Sequence, residues 1–127
     1  MLFDHIDLRV RNLAATRPLY DALLPAMGCS RINADDESAG YHQPAETGGE
    51  PFLWLVEDPA HEPSDTRIAF AAQSRAEVDR YAAIAQGAGA RAFEPPALQP
   101  EYSPNYYATF FEDVAGNKIE ICCRTPE

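Results

Sequence analysis

The 127 residues, 46% of them hydrophobic, suffice for one ordinary domain with one substantial core and leave no room for a second. Twenty Asp and Glu against ten Lys and Arg give a formal charge of −10. That charge repels phosphate backbones and anionic lipid and suits neutral or cationic small ligands, so neither nucleic acid nor a membrane is expected as a partner.

The chain opens on Phe3-Asp4-His5, acidic where a signal peptide is basic and followed by no long apolar run. The cysteines Cys29, Cys122 and Cys123 show no metal-ligand spacing and read as reduced thiols, so a cytoplasmic protein is expected. In residues 3–10, Ile6, Leu8 and Val10 alternate with His5, Asp7 and Arg9, which predicts a half-buried strand with a polar face.

Leu19, Tyr20, Leu23, Leu24 and Met27 then recur at helical spacing up to Gly28. Asn12 and Thr16 are both candidate caps, and Pro18 favours Thr16 because proline is tolerated in a first turn. Three short strands are predicted next, in SRINA, AGYHQ and PFLWLVE, before the linker EDPAHEPSD.

The order then repeats. TRIAFAA reads as a strand, and Ser74-Arg75-Ala76-Glu77 as a capping box opening a helix through Val78, Tyr81, Ala82 and Ala85. The strand RAFEP, a proline-rich loop to Pro104, the strand NYYATFFED, the turn VAGN and the strand KIEICC close the chain. Residues 5–8 align with 67–70 and Gly28 with Gly89. The predicted fold is therefore α+β: one domain over 1–127 made of two βαβββ repeats, roughly 1–60 and 64–127. They would form a curved mixed sheet with helices outside and a central cleft.

This layout, with the ending Phe110, Asp113-Val114-Ala115-Gly116-Asn117 and Ile119-Glu120, resembles the vicinal oxygen chelate superfamily of glyoxalase I, bleomycin resistance proteins and extradiol dioxygenases. The resemblance spans nearly the whole chain. It implies a divalent metal held at four positions, which here are His5, Trp54, Arg67 and Glu120. His5 and Glu120 are credible ligands, whereas Trp54 has no donor and Arg67 is a permanent cation.

The expectation is thus a binding protein for a small organic molecule with a degraded metal site, in which Arg67 pairs with Glu120 in place of the metal and no cofactor is needed. The cleft is expected to be lined by His5, Arg9, Trp54, Arg67, Tyr107 and Glu120. Of the adjacent Tyr106 and Tyr107 only one can face it, and Tyr107 is taken as that one. Tyr41, His42 and Tyr102 are expected on the rim.

Two alternatives remain. One is a lyase, isomerase or dioxygenase, either metal-dependent through His5 and Glu120 with Zn, Ni, Mn or Fe, or metal-free with His5, Arg67 and Glu120 as catalytic candidates. The other is an interaction module with a vestigial cleft. A homodimer is implied by the resemblance, and residues 33–50 and 95–105 are expected to select the ligand.

Overall fold

A computed structural model describes residues 3–32, 35–44 and 51–126, so part of the expected ligand-selecting loop, 33–34 and 45–50, lies outside the described residues. The chain divides into two compact units, Met1–Glu62 and Pro63–Glu127. Each is a βαβββ module with a four-stranded mixed sheet and one helix. Among the described residues no helix is long and apolar enough to cross a membrane.

The first unit contains β1 (Ile6–Val10), α1 (Leu13–Ala26), β2 (Ser30–Ile32), β3 (Ser38–His42) and β4 (Leu53–Glu57), in the sheet order β1-β4-β3-β2. β1 runs parallel to β4, with Asp7 beside Trp54, and the other pairings are antiparallel. Fully buried Val10, Leu53, Leu55 and Tyr41 meet Leu19, Tyr20, Leu23 and Leu24 of α1.

Helix α1 starts at Asn12, not at the expected Thr16. Asn12 Oδ1 accepts from Ala15 N at 3.0 Å, and the Glu57 carboxylate accepts from Leu13 N at 2.8 Å. With these first-turn donors satisfied, the helix can begin four residues early and carry Pro18 in its second turn, where only one backbone bond is lost.

The second unit contains β5 (Arg67–Ala71), α2 (Arg75–Gly87), β6 (Arg91–Leu98), β7 (Tyr107–Glu112) and β8 (Lys118–Cys123), in the order β5-β8-β7-β6. Ser74 caps α2 as expected, its Oγ accepting from Glu77 N at 3.1 Å, while the Glu77 carboxylate reaches back one residue beyond the cap and accepts from Gln73 N at 2.8 Å. Val78, Tyr81, Ala82 and Ala85 bury the helix on the sheet face that carries Ile119 and Ile121.

β6 runs on through Pro96 to Leu98, where a proline-rich loop was expected directly after Pro95. It is an edge strand with two register irregularities, and such strands tolerate residues that lack an N–H.

The turn between β7 and β8 sets the register of everything above it. Asp113 is 1% exposed, and its carboxylate accepts from Ala115 N, Asn117 N and Asn117 Nδ2 at 2.9 to 3.0 Å. Gly116 sits at φ +86°, and a Cβ there would come within 2.9 Å of Pro63. The result pairs Glu112 with Lys118 and Phe110 with Glu120.

Candidate functional site

In each unit the helix covers one sheet face, and the candidate residues lie mostly on the other. In the first unit, His5, Asp7, Arg9, Trp54 and Gly40 share that face by strand parity. His5 Nδ1 is 2.8 Å from the Asp4 carboxylate and its Nε2 is 3.9 Å from that of Asp7. The Trp54 ring lies over Gly40, where an added Cβ would approach it to 2.9 Å, so the glycine makes room for a flat indole on the sheet. Tyr41, expected on a rim, is instead fully buried on the helix side and donates to Asp21 of α1 at 2.6 Å.

In the second unit, Tyr106, Ala108 and Phe110 form a buried cluster with Cys122 packed against it. Glu120, 6% exposed, lies directly across from Phe110, and its carboxylate accepts a hydrogen bond from the Tyr106 hydroxyl. Burial, then hydrogen bonding to Cys122 and Glu120, raises the phenol above its ordinary range. Burial likewise holds the Cys122 thiol up, which disfavours its use as a nucleophile. Two guanidiniums lie on this floor, Arg67 at 4.8 Å from the Phe110 centroid and Arg124 at 4.7 Å from that of Tyr106, with the Tyr102 ring edge-on to Tyr106.

Two expectations are corrected here. Arg67 does not pair with Glu120: the register sets Lys118 beside Arg67 and Ala69 beside Glu120, and the guanidinium stacks on Phe110 while Tyr106 holds the carboxylate. Tyr107 faces the helix, with its hydroxyl donating to Asp79 of α2 at 2.6 Å and Arg75 over its ring, so Tyr106 is the tyrosine on the Glu120 face. A signal for this lay in the sequence. Counting back from the VAGN hairpin through Phe110 opposite Glu120 puts even-numbered β7 positions on that face.

The Asp79 bond, followed by burial, raises the Tyr107 phenol from about 10 to about 12. A raised folded-state value stabilises the fold fully below the unfolded value of 10 and loses that contribution as pH rises through 12. Urea titrations should therefore show stability level up to pH ~9 and falling above pH ~10. Tyr107→Phe should flatten the part of that fall between 10 and 12; an unchanged profile would count against the Asp79 bond.

A cavity of about 60 Å³ at this unit's sheet is lined by Arg67, Glu94, Phe110 and Lys118 among others. A cavity of about 340 Å³ lies by Ser64, Asp65, Glu112 and Lys118, with no aromatic side chain among its lining residues.

A model of the glyoxalase/bleomycin resistance protein/dioxygenase superfamily matches residues 2–121. The chain belongs to that superfamily. A glyoxalase/bleomycin resistance protein from Albidiferax ferrireducens T118 is 27% identical, with 98% of this chain and 100% of that one covered and a TM-score of 0.77. The fosfomycin resistance protein FosX from Listeria monocytogenes shares the fold at 20% identity, covering 98% of this chain and 94% of its own, with a TM-score of 0.73. The same protein complexed with Mn(II) and sulfate gives a TM-score of 0.70 at 20% identity, over 97% and 90% of the two chains. No curated protein matches the chain.

A superfamily member of this kind can hold a metal, but the residues here fit one poorly. Of the four positions that the family resemblance assigns to metal ligands, Trp54 and Arg67 offer no lone pair, one in each unit. The Glu120 carboxylate already accepts from a phenol. Among the described residues no group of three His, Cys, Asp or Glu side chains is arranged to hold an ion.

Proposed function

We propose that this superfamily member is a metal-free binding protein for a small organic molecule, with the aromatic floor of the second unit as its contact surface. The observation that carries the reading is the Glu120 carboxylate held by the Tyr106 hydroxyl amid Ala108, Phe110 and Cys122. A sheet face away from the helix is ordinarily hydrated and polar, so rings and methyl groups there favour an apolar, partly aromatic ligand.

Arg67 and Arg124 rest on the rings as long, exposed side chains. They can swing aside or lie on the other face of a bound ligand, and no metal is needed to hold the carboxylate. On the first unit, His5, Arg9 and Trp54 supply a second surface of similar chemistry, in which the indole is the flat apolar element. The cytoplasm is the proposed compartment and a homodimer the proposed assembly, which sedimentation equilibrium reads directly.

A thermal-shift screen of the whole chain tests the reading. An aromatic or heterocyclic small molecule should raise the melting temperature by binding the folded state alone, and Phe110→Ala should remove most of that rise. Zn, Ni, Mn and Fe(II) salts should leave it unchanged; stoichiometric tight metal binding would overturn the metal-free reading.

A second reading has its own observation. A phenol and a carboxylate within hydrogen-bond reach, beside a thiol, form a pair that could move a proton, as a metal-free lyase or isomerase requires. Turnover lost in both Tyr106→Phe and Glu120→Gln, with ligand binding kept, would decide for it.

A further inference from the structure

The small cavity beside Phe110 is walled by two opposite charges that do not neutralise each other. Arg67 comes from β5 at one edge of the sheet and Glu94 from β6 at the other. Arg67 reaches across β8 to lay its guanidinium 4.8 Å from the centre of the Phe110 ring, and Glu94 is the register partner of Phe110 on the opposite side. Both line the same cavity of about 60 Å³. Among the described residues neither enters an ion pair. The other two charged groups on the wall, Lys118 and Glu112, already face each other at 3.8 Å.

The backbone supports this placement of Glu94. Between the pairs Arg91–Glu112 and Glu94–Phe110, β6 advances three residues while β7 advances two, so one extra residue is accommodated. Ala92 within that step sits at φ +49°, in the left-handed region that a residue with a Cβ rarely adopts. Bulges of this kind re-aim side chains, and here the bulge precedes the residue that supplies the carboxylate and itself forms part of the cavity wall.

We propose that this cavity is a head-group subsite for a zwitterion, taking the ligand's carboxylate on the Arg67 guanidinium and its ammonium on the Glu94 carboxylate, over the Phe110 ring. This rests on the small-molecule reading given above and specifies the ligand class. An anion alone satisfies Arg67 but leaves Glu94 facing like charge, and a cation alone does the reverse. A molecule carrying both is matched on both sides and neutral overall, which suits a strongly acidic protein. The volume admits the charged end of a small molecule, so the remainder of the ligand lies along the Phe110 and Tyr106 floor.

Calorimetric titration of the whole chain with ω-amino acids, from glycine to 6-aminohexanoate, tests the proposal. One member of the series should bind, and the carboxylic acid and amine of equal length should each bind at least about tenfold more weakly. Arg67→Gln and Glu94→Gln should each remove at least about tenfold of the zwitterion's affinity. Both positions are exposed, so the variants should fold, and circular dichroism checks this.

A carboxylic acid that binds as tightly as its amino acid, an affinity indifferent to Glu94→Gln, or silence across the series would each overturn the subsite. An uncharged aromatic probe, indole, separates this failure from that of the wider reading. If indole binds the wild type while the amino acids do not, the subsite is wrong and the aromatic floor stands. If indole also fails, the floor falls with it.

Discussion

Asp113→Ala should lower stability by about 3 kcal/mol, read as a fall of roughly 10–15 °C in melting temperature. The carboxylate is almost fully buried and accepts three hydrogen bonds from Ala115 and Asn117. Alanine leaves two backbone N–H groups and a side-chain amide without their partner in a site that solvent reaches poorly. Each such group costs about 1–3 kcal/mol, offset in part by relaxation of the turn.

Asp113→Asn should fall between. Its amide oxygen can still accept from the two backbone groups, while its NH2 meets the Asn117 NH2. Denaturant unfolding of the three proteins checks the order, and a loss under 1 kcal/mol for alanine would mean that the turn is held by something other than this carboxylate. Because the turn sets Phe110 opposite Glu120, a variant that survives should also bind ligand on the aromatic floor more weakly.

Tyr106→Phe is expected to cost about 2–3 kcal/mol, more than removal of a neutral hydrogen bond, because the acceptor is a carboxylate with little access to water. The cost belongs to the pair and not to the phenol alone. Tyr106→Phe combined with Glu120→Leu should therefore be more stable than Tyr106→Phe by itself, since the double variant no longer buries an acidic group without its donor. If the single and double variants are equally unstable, the hydroxyl contributes through packing and the carboxylate is satisfied elsewhere. The same pair of variants bears on function: a binding protein should keep affinity for a flat apolar probe after Tyr106→Phe, whereas a proton-moving enzyme should lose its turnover.

Local patterns were legible wherever burial on one face imposed a period on the sequence. The alternation of Ile6, Leu8 and Val10, the helical recurrence of Leu19, Leu23 and Leu24, and the Ser74–Glu77 capping box each specify an element without reference to the rest of the chain. The duplicated order of those elements specifies two βαβββ modules. The glycine and asparagine of the last turn and the glutamate after it carry enough of a recognisable ending to indicate the superfamily.

The misread positions are those whose partner is distant in sequence. Pro18 favours Thr16 as the cap by local rules, and the carboxylate that lets α1 start at Asn12 instead comes from Glu57, forty-four residues beyond Leu13. Pro96 to Leu98 read as a loop because the tolerance of prolines in this strand depends on β6 being an edge strand. Arg67 and Glu120 share a face by parity, and parity alone cannot say which of Arg67 and Ala69 lies beside Glu120; the parallel register of β5 and β8 decides it.

The sequence by itself determined the two modules, their helices and the residue types available on each sheet face, because side-chain periodicity and capping are local physics. Only the tertiary structure decided that Tyr106 holds Glu120, that Arg67 lies on Phe110, and that a bulge at Ala92 precedes Glu94 at the same cavity. Those outcomes follow from strand register and from how far a side chain reaches across neighbouring strands, and neither quantity is written in the period of a single strand.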